Sequence, residues 1–327
     1  MSALEVIEYD DSRKHEWNEF VEHSNNGTIF HNLDFLSYHP KGKFDERHLM
    51  FYKGSSKGGK LLGVMPMALF HEEGKLVARS PYGASFGGIV VESFLPFEDS
   101  EHIVIGLINY LRDLGVAHVY VTPPPHIYHK IASDYIEFNL VRNGATIVKR
   151  EITSVIDLTS FESDPFEIYA GRNRTAIRKA EKSHLVIKES WEAVMDFYGI
   201  LMDTYSYHNK LPTHNLDELM RLRQKLPEFF KLDMAYVESQ PIGGALYFIC
   251  NPRVALLFYD CRKSEYSAHN PVNFLLHWGV LWAKQQGFKY LDLGTSTEDM
   301  QPTYGLFKFK EGLGARGVFR NTYRLDL

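Results

Sequence analysis

Three cationic side chains recur at helical spacing in the segment 169–182. A spacing of four residues places Arg174, Arg178 and Lys182 on one face of a helix, with Ile177 and Ala180 turned inward. Arginine is suited to bidentate phosphate contacts, so such a face predicts an anion site if a second wall encloses it. The alternative is the solvated face of an ordinary amphipathic helix, and charge alone favours that alternative.

A second segment suited to chemistry is 304–315, near the end of the sequence. It combines aromatic residues and glycines with Lys308 and Lys310, and it follows a predicted strand that ends at Gly294. Folds with parallel strands bind ligands at the carboxyl ends of those strands. The segment therefore fits a ligand site, although a packed aromatic turn with both lysines in solvent fits the spacing equally well.

Asp260 is the candidate general base. It comes directly after a predicted strand, where its carboxylate could take a proton directly or through water. Asp292, in a later strand, is a slightly weaker candidate. The simpler interpretation is that each acid caps or ends its strand.

Both halves of the sequence repeat one order of elements that would position these residues. A strand is followed by an amphipathic helix, a glycine and a second strand. The first half has strands at 85–91 and 116–121 with the helix ending at Gly115, and the second has strands at 254–259 and 288–293 with the helix ending at Gly287. This order predicts a right-handed crossover between parallel strands in each half.

An antiparallel meander precedes each crossover. The predicted strands are 48–52, 60–70 and 75–79 in the first half and 231–237, 242–250 and 254–260 in the second. Helices are predicted ahead of the meanders at 12–22, 191–208 and 215–226. The sequence therefore predicts a mixed α/β fold with two related domains, 1–160 and 161–327.

The two chemical segments together resemble the Fem family of peptidoglycan-peptide aminoacyltransferases and their FemAB-like relatives with GNAT-type folds. The stretch 172–182 is similar to the family's Arg-rich helix, and 305–314 is similar to its C-terminal element containing a Phe-Lys pair. The strand ending in Asp292-Leu293-Gly294 also fits this set. The resemblance covers residues 165–325, and the first half only by architecture.

This resemblance implies tandem GNAT-like domains and an acyl or aminoacyl transferase. The acceptor would be an amine of a cell-envelope precursor, an amino sugar or a related small molecule. Phe309 and Lys310 would stabilise the oxyanion of the tetrahedral intermediate, and Asp260 would take the proton. The predicted substrate-binding residues are Arg174, Arg178, Lys182 and Tyr304.

Two departures from the family pattern leave the substrates open. No charged heptad run marks the helical hairpin insertion of the cell-wall enzymes. The segment 260–271 also lacks the Gln/Arg-x-x-Gly-x-Gly/Ala loop with which GNAT enzymes hold the coenzyme A pyrophosphate. The donor could be aminoacyl-tRNA or acyl-coenzyme A. The alternatives are a GNAT N-acetyltransferase acting on another small amine and an inactive binding module.

Composition limits the partners. The 327 residues carry a net charge of −5, which argues against coating DNA or an anionic membrane and leaves only local tRNA contact, through 172–182 and the arginines at 316, 320 and 324. The sequence shows no signal peptide and no membrane span, and its two cysteines, Cys250 and Cys261, are expected to be buried thiols. A cytoplasmic location is expected. His126 and His129 are expected at the surface, and no metal site is predicted.

Overall fold

The computed structural model describes residues 4–207 and 209–327. Close contacts divide the chain into two compact units, called unit 1 (Met1–Glu151 with Phe319–Leu327) and unit 2 (Ile152–Val318). The predicted domains, 1–160 and 161–327, stay a prediction. Within the described ranges, no helix combines the length and apolar character that a bilayer crossing requires.

Unit 1 has two antiparallel arrangements and one crossover. Its helices are α1 (Lys14–His23), α2 (Leu33–Leu36), α3 (Phe97–Asp113) and α4 (Tyr135–Arg142). Its strands are β1 (Leu4–Glu8), β2 (Asp45–Glu46), β3 (Leu49–Lys53), β4 (Lys60–Met65), β5 (Ala68–Glu72), β6 (Lys75–Ser80), β7 (Val90–Val91) and β8 (His118–Val121). β1, β3, β4 and β7 pair antiparallel in that order, and β2, β5 and β6 form an antiparallel series.

The first-half crossover uses a different strand from the predicted one. β6 and β8 are parallel neighbours with Val77 opposite His118, and α3 lies between them in the sequence. Within the predicted strand 85–91 only β7 forms a strand, and it pairs antiparallel with β4. The predicted strand 60–70 is also wrong as one element, because the chain leaves β4 before Pro66 and starts β5 after it. Proline cannot donate to a strand ladder, which explains the break.

Unit 2 confirms its predicted meander and crossover. Its helices are α5 (Gly171–Lys182), α6 (Val194–Tyr207), α7 (Leu216–Lys225), α8 (Pro271–Gln285) and α9 (Tyr304–Glu311). Its strands are β10 (Val186–Glu189), β11 (Phe230–Val237), β12 (Gln240–Asn251), β13 (Val254–Arg262), β14 (Tyr290–Thr295), β15 (Thr297–Glu298) and β16 (Gln301–Pro302). β10 to β13 pair antiparallel in order, and β13 is parallel to β14 with Val254 opposite Tyr290.

Two long strands carry the chain between the units, β9 (Thr146–Asp157) and β17 (Arg316–Asp326). The unit 2 end of β9 pairs with β14, and the unit 1 end of β17 pairs with β8. β14 and β8 therefore each have one parallel and one antiparallel neighbour, which gives the predicted mixed sheet.

Local sequence explains most helix boundaries. α3 and α8 are followed by Gly115 and Gly287 with positive φ of 72° and 82°, as a glycine stop requires. Asn215 caps α7 and forms a reciprocal pair of hydrogen bonds with Glu218. The helices predicted at 12–22, 191–208 and 215–226 are confirmed as α1, α6 and α7 with ends shifted by a turn or less, and position 208 lies outside the described residues.

Each unit has its own buried core. In unit 1 the apolar face of α3 packs with β3, β4 and β8, and in unit 2 one face of α8 packs with β12 to β14. Cys250 and Cys261 are buried free thiols in unit 2, as expected. His129 contradicts the expectation of a surface histidine, because it is buried in unit 1, while His126 is exposed.

Candidate active site

The two segments that the sequence singled out lie against each other in unit 2. At the start of α5, the Arg172 guanidinium donates to the backbone carbonyl of Lys308. The buried Asn173 side chain donates to the carbonyl of Phe309 at 3.5 Å. The Lys308 carbonyl also accepts from the Gly312 amide at 3.3 Å. The two side chains thus add donors to the last turn of α9, where helical carbonyl groups run short of partners within the helix. The structure thus joins the basic helix to the Phe-Lys element.

Two glycines permit this close approach. A Cβ at Gly312 would lie 2.8 Å from Asn173 Oδ1, nearer than real Cβ contacts allow. Gly314 has a φ of 83°, which favours glycine, and a Cβ there would lie 2.7 Å from Ile168 Cδ1. Packing therefore requires glycine at positions 312 and 314 of the element.

Lys310 is buried, with 6% of its surface exposed. Its ammonium donates to the carbonyl oxygens of Gly294 at 2.9 Å and Thr295 at 3.0 Å, so the side chain ties α9 to the carboxyl end of β14. Burial lowers the pKa of Lys310 to about 8, against the opposing effect of Asp260 and Asp292. The ammonium has three N–H groups, and these two bonds use two of them.

Asp260 lies near the end of β13, exposed to solvent and close enough to Lys310 for each charge to shift the pKa of the other. Desolvation by the surrounding protein raises the pKa of Asp260, while the positive charges of Lys310 and Arg262 lower it. The structure therefore brings together two of the predicted catalytic residues, an acid open to solvent and a buried cation.

Asp292 has a different environment. It is buried in β14, and its Oδ1 accepts hydrogen bonds from the Thr153 hydroxyl and from the Gly294 amide, the latter at 2.8 Å. These two hydrogen bonds fix the orientation of the Asp292 carboxylate. These bonds shape the end of β14 where Lys310 attaches, so Asp292 is better placed to support that attachment than to take a substrate proton.

The predicted anion-binding face of α5 is only partly free. Ile177 and Ala180 point inward as expected, and Arg178 and Lys182 are exposed. Arg174 is half-buried and donates to the Phe166 carbonyl at 3.3 Å. A helix rises about 1.5 Å per residue, so Arg174 and Lys182 start roughly 12 Å apart. One phosphate therefore fits Arg174 with Arg178 better than all three cations.

Phe166 holds the second arginine in place. The Arg178 guanidinium lies over the Phe166 ring at 5.2 Å, and the same ring stacks on His277 with the ring centroids 5.1 Å apart. Burial lowers the pKa of His277, and its Nδ1 lies 3.4 Å from the Tyr169 hydroxyl. This stack could not be predicted from the sequence, because no periodic pattern links 166 to 277.

The remaining predicted residues differ in exposure. Tyr304, the first residue of α9, is 78% exposed, while the Phe309 ring packs against the unit 2 core. This packing suits Phe309 to positioning its neighbour Lys310 rather than to touching substrate. Asn173 and Thr153 were missed by sequence analysis. A usable signal existed for Asn173, which shares the inward spacing of Ile177 and Ala180 within a charged segment.

The start of α8 does not supply the usual pyrophosphate cradle of GNAT enzymes. After β13 the chain forms a 3-10 helix, Ser264–His269, and α8 begins at Pro271. Proline has no amide, so this helix start offers one donor fewer to an anion. No cluster of three metal-ligating side chains occurs in residues 4–207 and 209–327.

Comparison with known proteins identifies the fold. No protein-family model and no curated protein matches this sequence. Solved structures do match over nearly the whole chain, and they define the class as a tandem GNAT-like fold of the kind found in acyltransferases.

FemX is one such structure, with a TM-score of 0.74 at 13% identity over 99% of this chain and 97% of FemX. The structure of L-PGS from Bacillus licheniformis matches with a TM-score of 0.60 at 13% identity over 96% of this chain and 91% of that one. A tandem GNAT protein from the clavulanic acid biosynthesis pathway matches with a TM-score of 0.57 at 11% identity, over 99% and 98% of the two chains. The predicted resemblance to the Fem family is thus confirmed in the fold.

Proposed function

We propose that this protein is an acyl or aminoacyl transferase acting on an amine, with its chemistry in unit 2. The observation that carries the proposal is the buried Lys310 ammonium beside the Asp260 carboxyl, at the carboxyl ends of the parallel strands β13 and β14. Folds with parallel strands place their ligands at this edge. The acceptor that the Fem-like fold favours is the amine of a cell-envelope precursor or an amino sugar.

Lys310 supplies positive charge where the reaction needs it. Attack by the acceptor nitrogen on the donor carbonyl carbon forms a C–N bond and puts negative charge on the carbonyl oxygen. With two N–H groups on Gly294 and Thr295, the third N–H of Lys310 can donate to that oxygen. The two carbonyls fix the ammonium beforehand, so little reorganisation is needed during the reaction.

Asp260 takes the proton that the acceptor nitrogen must lose. Its raised pKa makes it a better base than an ordinary surface aspartate, and its exposure leaves it accessible to an amine or to an intervening water. When the tetrahedral intermediate collapses, the carbonyl re-forms and the bond to the leaving oxygen or sulfur breaks. The proton held by Asp260 can then pass to that leaving atom.

Substrate phosphates have two candidate partners on α5. Arg174 and Arg178 lie one helical turn apart and are steadied by Phe166, which reduces the entropy lost on binding. Lys182 extends the same face, and Tyr304 offers an exposed ring at the start of α9. We assign Arg174 and Arg178 to one phosphate group and the other two side chains to more distant parts of a substrate.

An aminoacyl ester on tRNA is the favoured donor over acyl-coenzyme A. Pro271 and the preceding 3-10 helix leave α8 without the usual loop of amide donors for a pyrophosphate. The exposed cations Arg172, Arg178 and Lys182 give the local positive surface that a nucleic-acid phosphate needs, despite the net charge of −5.

A transfer assay tests the proposal. Radiolabelled aminoacyl-tRNA and acetyl-coenzyme A are each offered with a nucleotide-linked muramyl peptide or with glucosamine, using wild type and Lys310→Met. We expect transfer from aminoacyl-tRNA, and we expect Lys310→Met to reduce its rate about a hundredfold. Transfer from acetyl-coenzyme A alone would establish the N-acetyltransferase alternative. If the folded wild-type protein transfers no group with any combination of donor and acceptor, the protein is an inactive binding module.

A further inference from the structure

Unit 1 contains a pocket that the proposed reaction does not use. Its volume is about 290 Å³, and it lies between the segment 91–95, which follows β7, and the segment 129–137, which leads into α4. Val91, Leu95 and Ile136 form a buried apolar part of its lining. A volume of this order accommodates a small organic molecule.

The wall of the pocket is held by two buried asparagines. The Asn25 side chain donates to the Ile131 carbonyl at 2.9 Å and accepts from the Ile131 amide at 2.8 Å. Asn26 makes the same pair of contacts with the carbonyl of Ile89 and the amide of Val91, both at 2.9 Å. These paired bonds fix both walls, so the pocket is formed before a ligand arrives.

The charged side chains in the lining of the pocket are acidic. The lining contains Glu92 and Glu137 and no lysine or arginine. Glu92 is neutralised by Lys60, whose Nζ lies 2.5 Å away. Glu137 has no ion pair with any residue that the structure describes, and burial raises its pKa to about 7. A carboxylate held without a counterion in a partly apolar pocket attracts a cation.

His129 adds hydrogen-bonding capacity without positive charge. The ring is buried near the carbonyls of Pro124 and Ser133, yet neither ring nitrogen makes a well-aligned hydrogen bond within the described part of the chain. Burial lowers the pKa of His129, so the imidazole is neutral at pH 7. It therefore does not compete with a cationic ligand for Glu137.

Aromatic rings complete the lining. Phe94 is 82% exposed, and Tyr135 is steadied by an edge contact with Phe97 at 5.4 Å. Aromatic faces attract ammonium groups, and the attraction adds to that of a nearby carboxylate. We propose that this pocket is a second ligand site, which binds an organic ammonium ion on an apolar body through Glu137, Phe94 and Tyr135.

Calorimetric titration of the full-length protein with phenethylamine tests this site at pH 8, where both the amine is protonated and Glu137 is ionised. The neutral isostere 2-phenylethanol separates charge from apolar contact. We expect the alcohol to bind wild type at least tenfold more weakly than the amine. Glu137→Gln should weaken the amine about tenfold, and Phe94→Ala, at an exposed position that the fold does not need, about threefold. The control Glu19→Gln, on the exposed side of α1, should leave binding unchanged.

Lowering the pH provides an independent readout. Besides His129 and Glu92 in the pocket, the titratable groups that influence Glu137 or are influenced by it are Asp134 and Tyr323. Protonation of Glu137 below its pKa of about 7 should weaken amine binding about tenfold at pH 6 and leave the alcohol unaffected. Equal affinity for amine and alcohol, an unchanged affinity in Glu137→Gln, or no saturable amine binding would each overturn the proposal.

Discussion

The two units share an order of elements and differ in how each holds the helix that follows its crossover. In unit 1, α4 follows β8 and is held by Asn139, a buried neutral side chain that donates to Ser100 Oγ at 2.9 Å. In unit 2, α9 follows β14 and is held by Lys310, a buried charge that donates to two carbonyls of the strand end. The hydrogen bond of Asn139 joins α4 to α3. The hydrogen bonds of Lys310 join α9 to β14 and place an ammonium group at the carboxyl end of that strand.

This difference has an energetic meaning. The lowering of the Lys310 pKa to about 8 means that the protein destabilises the charged form of this side chain, relative to its neutral form, by roughly 3 kcal/mol. Asn139 shows that the same architecture holds its helix without a buried charge. A buried charge that packing does not require points to function, which is why the reaction is assigned to unit 2.

The largest expected effect tests this difference between Lys310 and Asn139 directly. Lys310→Met should reduce transfer about a hundredfold, because the oxyanion loses its charged donor. Asn139→Leu, the matched change in unit 1, should alter transfer less than twofold. Single-turnover rates measure both, and circular dichroism checks that each variant is folded. Similar losses in the two variants would mean that both residues act only through folding.

A further control separates Lys310 from its surroundings. Lys308 is an exposed lysine of the same helix. Lys308→Met should therefore retain the wild-type rate. A rate as low as that of Lys310→Met would assign the effect to the charge of α9 as a whole.

The next largest effect concerns the base. Asp260→Asn should lower the transfer rate about tenfold, since water can replace part of the proton acceptance. The exposed carboxylate Glu265, in the 3-10 helix that follows β13, provides the control, and Glu265→Gln should have no effect. Full activity in Asp260→Asn at saturating acceptor would remove Asp260 from the mechanism.

A measurement of unfolding free energy tests how closely α5 packs against the end of α9. Gly312→Ala should lower the free energy of unfolding by about 1–2 kcal/mol, because the new Cβ meets Asn173. A Cβ added at Gly305, in the same helix, would meet no atom within 4 Å, so Gly305→Ala should be stabilising by about 0.5 kcal/mol. Urea denaturation gives both values. The same sign for both substitutions would contradict the close docking of α5 on α9.

The smallest expected effect lies on the basic face. Arg178→Ala should raise the KM for the phosphate-bearing substrate about threefold and leave kcat within twofold, because its role is binding. Lys179→Ala, an exposed neighbour on another face of α5, should change neither. A fall in kcat with constant KM would move Arg178 from binding to catalysis.

Local sequence predicted those elements whose signals are local. The glycine stops, the inward face of α5 and the unit 2 crossover all follow from spacing that a short window contains. The first-half crossover strand was wrong because β6 and the segment 85–91 both precede α3 and both contain residues typical of strands. The choice of the parallel partner for β8 depends on long-range pairing. Pro66 did carry a readable signal for the break between β4 and β5.

The site was predictable as a set of residue types and not as a geometry. Lys310 and Asp260 stood out by position, but the bonds from Lys310 to the end of β14 join residues fifteen and sixteen positions apart across a turn of the fold. The environments of Arg174 and Arg178 depend equally on Phe166 and His277, which share no sequence pattern. Such contacts are set by packing of whole elements.

The pH dependence of single-turnover transfer, measured for wild type and Lys310→Arg, tests the central claim most directly. The ratio of the two rates cancels titration of the acceptor amine. Because the pKa of Lys310 is about 8, raising the pH through 8 removes its positive charge, whereas arginine stays protonated. We predict that the ratio of wild type to Lys310→Arg is constant below pH 7 and falls about tenfold between pH 8 and pH 9.5. A ratio that stays constant from pH 6 to pH 9.5 would contradict a role for the Lys310 charge in the reaction.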